Sequence, residues 1–246
     1  MLKKLYEKSR IWFAVLWIIA YCVLMSAGDS LSALIGIEKS VTVIVGFLLS
    51  LMLILFLKKN ELFESYGLCA SRVSARSMLY YLPVAIMLTT NLWYGVKANY
   101  GALETALYIL AMFCVGFLEE VIFRGLLFND MREDNAKAAI IVSSLTFGIG
   151  HIINLINGSG AALTSNLLQV VYATAAGFMF VMIYYKTNSL LICIIAHGVF
   201  NALSVFADES SAPPETRLLF SFLLTVITSA YAVYIAFMMR KKDEAR

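Results

Sequence analysis

The chain has 246 residues, 61% of them hydrophobic and only 14% charged, with a mean hydropathy of +0.82. A soluble domain carries about 25% charged residues, so a soluble globule is excluded. The net charge of +3 is too small, and too confined to segment ends, to read as a nucleic-acid footprint. Apolar runs between polar breaks predict an all-α, polytopic membrane protein of eight helices. They lie over about 11–28, 40–57, 78–96, 103–129, 137–157, 161–185, 189–206 and 217–239.

The first run follows Lys3, Lys4, Lys8 and Arg10, a cluster that imitates a signal peptide. Because further spans follow, it reads as a retained helix. Between the second and third runs, residues 60–77 mix Arg72 and Arg76 with Leu62, Phe63 and Leu68. That mixture suits either an amphipathic helix on the membrane surface or an ordinary loop. Pro213-Pro214 marks the sharp break before the last helix. Cys22, Cys69, Cys114 and Cys193 match no zinc or redox spacing and read as small apolar residues in packed helices.

Charge orients the spans. In an eight-span arrangement the basic residues Lys58, Lys59, Arg72, Arg76, Arg132, Lys137, Lys186, Arg240, Lys241, Lys242 and Arg246 join the basic N-terminus on one side. The opposite loops hold Asp29, Glu38, Lys39, Lys97, Glu104, Asp208, Glu209, Glu215 and Arg217. The basic excess predicts both termini in the cytoplasm. Seven or nine spans would spoil this sorting.

Within the apolar runs stand residues that lipid penalises: Glu119, Glu120 and Arg124 in the fourth helix, His151 in the fifth, His197 and Asn201 in the seventh. An ionisable side chain at a helix centre costs about 2.5–3.5 kcal/mol on insertion scales. Glu120 and Arg124 are four apart and share a face, as do Phe147 and His151, and His197 and Asn201. The chain has only two histidines, and both belong to this set. Polar residues in membrane helices can act as interhelical glue. A set of two carboxylates, an arginine, two histidines and an asparagine instead predicts three polar faces meeting around one wet pocket.

The segments "EEVIFR" (119–124), "FGIGH" (147–151) and "HGVFN" (197–201) resemble the three ordered motifs of the CPBP family, the CAAX prenyl-protease and bacteriocin-processing (ABI) intramembrane proteases. Family members often carry a proline shortly before the third motif, and here "SLLICIIAHG" has none. The resemblance implies an eight-helix fold with N-terminal helices over 1–100, a catalytic core over 101–210, and a last helix with a basic tail over 211–246. It also implies a catalytic cavity open towards the cytoplasmic side, and hydrolysis of a peptide bond near the membrane. Carried over by motif, Glu119 and His151 activate water and His197 and Asn201 steady the oxyanion. Glu120 and Arg124 form a structural pair, with Phe147 supporting the site.

The residues support that chemistry on their own terms. A peptidase needs a nucleophile, a proton shuttle and a donor to the oxyanion. No serine or cysteine accompanies a His and an acid in a recognisable pattern; Ser143 and Ser144 are expected to bond back to their own helix. Water is the better nucleophile. Arg124 claims Glu120, which leaves Glu119 as the base. No metal is assigned, although Glu119, His151 and His197 are the residues a zinc version would use. The expected partners are the lipid bilayer and a peptide or membrane-protein substrate, with no nucleic acid, and the expected setting is a bacterial plasma membrane. Two other classes stay open: a non-catalytic immunity or regulatory scaffold of the same family, and a proton-coupled transporter, against which stands the lack of an inverted repeat.

Overall fold

The computed structural model describes residues 2–156, 163–208 and 212–244. Glu209, Arg246 and the ends of the expected spans 137–157 and 161–185 that abut the gap lie outside the described residues. What is described is helix and turn, with one isolated bridge between Val96 and Ala207. A short helix α1 (Leu2–Lys8) leads into α2 (Arg10–Ile35). Ser9 separates them: its extended backbone lets Oγ accept from Trp12 N at 3.3 Å, which satisfies one of the free N–H groups of α2. Gly36, with φ 77°, ends α2 and returns its N–H to the Ser32 and Ala33 carbonyls. Helix α3 (Ser40–Lys59) follows.

Residues 60–74 form turns, so of the two readings of this stretch the loop is the one adopted. Leu62, Phe63 and Leu68 pack on the core and Tyr66 is buried. The third expected span, 78–96, does not form as one helix. Its place is taken by a 3₁₀ segment (Ala75–Tyr81), helix α4 (Leu82–Thr89) and a second 3₁₀ turn (Thr90–Tyr94). The reason is local. Leu79, Tyr80 and Tyr81 all take positive φ, and Pro83 has no N–H to donate back across that break, so a helix can start there but not continue through.

Helix α5 (Ala102–Glu119) runs without interruption into a π-helical stretch, π1 (Glu120–Phe128), and on into α6 (Asn129–Gly150). Asn135 breaks the run with φ −152° and ψ 98°. Its Oδ1 accepts from Ala138 N at 3.0 Å, the geometry of an N-cap. The division expected between 129 and 137 therefore falls at a capped turn. After α7 (Ile153–Ile156) come α8 (Leu163–Thr187), α9 (Leu191–Leu203) and α10 (Pro214–Glu244).

Among the described residues five runs are long and apolar enough to cross a membrane by length and composition, the run Ala102–Leu155 counting as one. The stretch Leu191–Phe206 is apolar but shorter. The count of eight spans thus stays an expectation. Large apolar side chains face outward along the helices, Trp12, Phe47, Leu110, Ile195 and Phe222 among them. Such a surface needs hydrocarbon around it. This is a multi-pass membrane protein.

Contacts between elements distant in sequence sort the helix ends into two groups. At one end, with the N-terminus, Arg10 lies 4.0 Å from Asp130 and 3.7 Å from Glu133, and Arg132 donates to Asn188. There too Lys186 donates to the Ser77 carbonyl at 2.8 Å, and Tyr231 of α10 donates to the Met78 carbonyl. At the other end Lys39 pairs with Asp29 at 2.8 Å, Glu38 N bonds Glu104, and Asp208 N bonds the Gly95 carbonyl.

Candidate active site

The π turn sets the geometry of the first motif. All nine residues of π1 are buried, Glu120 and Arg124 completely. Widened turns of this kind are rare and concentrate at functional sites. Arg124 Nη1 donates to Glu120 Oε1 at 3.0 Å, so the expected pair forms. The guanidinium also sits 4.0 Å from the Phe147 ring centroid and 5.6 Å from that of Phe180, a cation held between two aromatic faces. Ser143, expected to bond its own helix, instead donates to the Phe123 carbonyl of π1 at 2.8 Å and anchors α6 against the turn.

His197 reaches this cluster because α5 and α9 almost touch. A Cβ added to Gly116 would lie 2.6 Å from Gly198 N and 2.8 Å from its Cα. Small residues at a crossing let helix backbones approach this closely. His197 Nδ1 then lies 2.8 Å from Glu120 Oε1, and Nε2 lies 3.3 Å from Glu119 Oε2. Spacing alone put Glu119 on a separate face from the Glu120–Arg124 pair. Instead both carboxylates converge on one imidazole, because its two nitrogens point in diverging directions. Phe180 stacks on the ring at 5.5 Å and 19°, and Phe147 meets it edge-on.

Glu119 has a partner that no motif announces. Tyr21, in α2, donates its hydroxyl to Glu119 Oε1 at 2.7 Å. Glu119 Oε2, also buried, has the His197 Nε2 contact at 3.3 Å but no well-aligned hydrogen bond among the described residues, and Glu120 Oε2 has none either.

Glu119, Phe147, Phe180 and His197 of this cluster line a cavity of about 480 Å³, while Glu120 and Arg124 do not border it. Glu119, Phe147, His151, His197 and Asn201 all line it, so the second- and third-motif side chains meet the first at one place. His151 follows the last residue of α6 rather than sitting mid-helix, and lines the same cavity as Glu119. Its ring packs edge-on against Phe147 at 5.2 Å. Asn166 was not foreseen. It is buried, donates to the His151 carbonyl at 3.1 Å, and leaves Oδ1 without a partner among the described residues at the cavity wall. Tyr21 and Asn166 belong to no pattern of charge or spacing; an apolar helix with a lone Tyr or Asn was their only trace.

The zinc set of Glu119, His151 and His197 is not assembled. Among the described residues no group of three or more His, Cys, Asp or Glu side chains converges as a metal site would require. Both ring nitrogens of His197 already face carboxylates. The residues as arranged do not fit a zinc ion.

The cavity is also bordered by Asp29, Lys39, Asn91, Asn154 and Ser204.

Residues 101–203 match the family model described as type II CAAX prenyl endopeptidase Rce1-like. Over 101 residues the chain is 33% identical to a Bacillus subtilis (strain 168) protein named "Putative membrane peptidase YdiL", a match covering 40% of this chain and 36% of that protein. The matched stretch thus spans little more than a third of that relative. No solved structure matches the chain significantly. All three motifs fall inside the matched segment and contribute side chains to one cavity; over this segment the chain is similar to membrane proteases of the Rce1-like type.

Proposed function

We propose that the chain is an intramembrane endopeptidase that hydrolyses a peptide bond with water activated by Glu119. One observation carries the reading: Glu119 lines the cavity with Oε1 held by the Tyr21 hydroxyl at 2.7 Å and Oε2 3.3 Å from His197 Nε2. A carboxylate fixed beside an imidazole at a cavity wall is an arrangement that can take a proton from water. Glu119 takes a proton as the water oxygen attacks the carbonyl carbon. The imidazole of His197, 3.3 Å away, shares that proton. His151 and Asn201, which line the same cavity, face the oxyanion that forms. The proton passes to the amine nitrogen as the C–N bond breaks.

Glu120, Arg124 and Phe147 hold His197 in place. The geometry of the cluster favours pairing His197 with Glu119 and moving His151 to the oxyanion, an exchange of the two histidine roles that the motifs imply. No step needs a metal. The setting we propose is a bacterial plasma membrane with both termini cytoplasmic, the substrate a membrane-associated or small peptide.

The experiment is cleavage of a quenched-fluorescence peptide library by purified protein in detergent. Glu119→Gln should lose about 10²–10⁴-fold in rate, the usual worth of a general base, with an unchanged melting temperature. Equal activity in the two proteins would return the site to a packing role.

A further inference from the structure

Of the two motif histidines, His197 sits inside α9 while His151 lies past the end of α6. The chain leaves α6 through short turns. His151 N bonds the Gly148 carbonyl at 3.2 Å, Ile152 N the Ile149 carbonyl at 2.9 Å, and Asn154 N the His151 carbonyl at 3.1 Å. Bonds between residues three apart have poorer geometry than those of an α-helix. Such turns hold a side chain less firmly than the middle of α9 holds His197.

The start of α8 supplies the support that α6 does not. Asn166 Nδ2 donates to the His151 carbonyl at 3.1 Å, and Asn154 Nδ2 donates to Gln169 Oε1 at 3.0 Å. The acceptor at His151 is a carbonyl, so only the amide nitrogen of Asn166 can serve it. Asn166 and Gln169 are three apart on α8 and share a face. That helix is itself fixed against α6. A Cβ added to Gly148 would lie 2.8 Å from Thr174 Cα, and one added to Gly177 would lie 3.1 Å from the Ser144 carbonyl oxygen. The two helices therefore meet backbone to backbone, and the amides reach from a rigid rail to the turn that carries His151. Asn166 is buried. A buried amide is costly unless it is bonded, and an apolar side chain would fill the same space without that cost.

We infer that Asn166 is a positioning residue for the reaction, acting through His151, with the Asn154–Gln169 bond as a second tie. Its effect on catalysis depends on the peptidase reading, in which His151 faces the oxyanion; its hold on His151 depends on these bonds alone. A misplacement of about 1 Å in such a group can cost about 10²-fold in rate.

The chain has two histidines, so protein carrying isotope-labelled histidine gives two imidazole signals by NMR in detergent, assigned with His151→Gln and His197→Gln. Asn166→Leu keeps the volume and removes the donor. Its His151 signal should move or split while the His197 signal stays in place, and the turnover number should fall about tenfold or more with KM little changed. Gln169→Met cuts the second tie and should move the same signal by less; it carries the test if Asn166→Leu does not fold. Asn60→Ala removes a bond of the same kind, from Asn60 Nδ2 to the Phe56 carbonyl, away from the cavity, and should move neither signal. A lower melting temperature with the His151 signal unmoved in both variants would make Asn166 interhelical glue and overturn the inference. So would equal movement of both signals, or a moved His151 signal with an unchanged turnover number. The ring signals need no turnover, so an inactive parent protein would sink the peptidase reading and leave the hold on His151 standing.

Discussion

Tyr21 donates its hydroxyl to Glu119 Oε1 at 2.7 Å, joining two residues 98 positions apart in the chain. The bond fixes one Glu119 oxygen and leaves the other facing His197 Nε2 at 3.3 Å. A carboxylate that can rotate presents its other oxygen only part of the time. The phenol therefore positions the base.

Tyr21→Phe keeps the ring and removes the donor. The melting temperature should fall modestly, since leaving a buried acceptor unsatisfied costs about 1–3 kcal/mol. The turnover number should fall about tenfold or more, with KM little changed, because the loss is in orientation rather than in substrate binding. A purely structural tyrosine would lower stability and leave the turnover number of the folded fraction intact. Kinetics on protein purified by size exclusion separate the two.

The paired glutamates should respond differently. Glu119→Gln should stay folded and lose activity. Glu120→Gln strands the Arg124 cation, wholly buried, and replaces the charged carboxylate beside His197 Nδ1 with a neutral amide. Breaking a buried pair this way costs about 3–5 kcal/mol, so abundance and melting temperature should fall first. Glu120→Gln with Arg124→Met should recover part of that stability, since no charge is left unpaired; Glu119→Gln with Arg124→Met should recover none. Melting temperatures and cleavage rates of the four variants check this. A stable, inactive Glu120→Gln beside an unstable Glu119→Gln would exchange the two roles.

Gly116→Ala tests the contact that delivers His197. Its Cβ would meet Gly198 backbone rather than a flexible side chain, so α5 and α9 must separate. Overpacking of this kind costs about 1–3 kcal/mol. Activity should drop further than stability does, because His197 moves away from both carboxylates. Gly150→Ala, where an added Cβ meets nothing within 4 Å, is the control that should leave melting unchanged. If both substitutions melt and cleave like the parent, the close crossing does not set the site.

Chelation decides the metal question. With water activated by Glu119 and His197, activity should survive prolonged treatment with a strong chelator, and the purified protein should hold no stoichiometric zinc. Activity lost to the chelator and restored by zinc would make Glu119, His151 and His197 ligands after rearrangement.

The sequence by itself determined what is local or additive. Hydropathy summed over the chain gave a helical membrane protein, because lipid leaves the backbone few other ways to satisfy its hydrogen bonds. The four-residue spacing of Glu120 and Arg124 gave their ion pair, since neighbours on one helix face meet whatever the rest of the fold does. The break near Asn135 was readable from a polar stretch. Only the tertiary structure decided the rest. It split the 78–96 run with three positive-φ residues, and it wound residues 120–128 into a π turn. It brought Tyr21 and Asn166 to the site from helices with no motif. It set His197 between two carboxylates through a glycine–glycine crossing. Each of these depends on which helix packs beside which, and at what depth. In a chain where nearly every face is apolar, hydrophobicity does not distinguish a lipid-facing stripe from a protein-facing one. The choice falls to backbone approach at small residues and to the pairing of a few buried polar atoms, interactions between segments far apart in sequence.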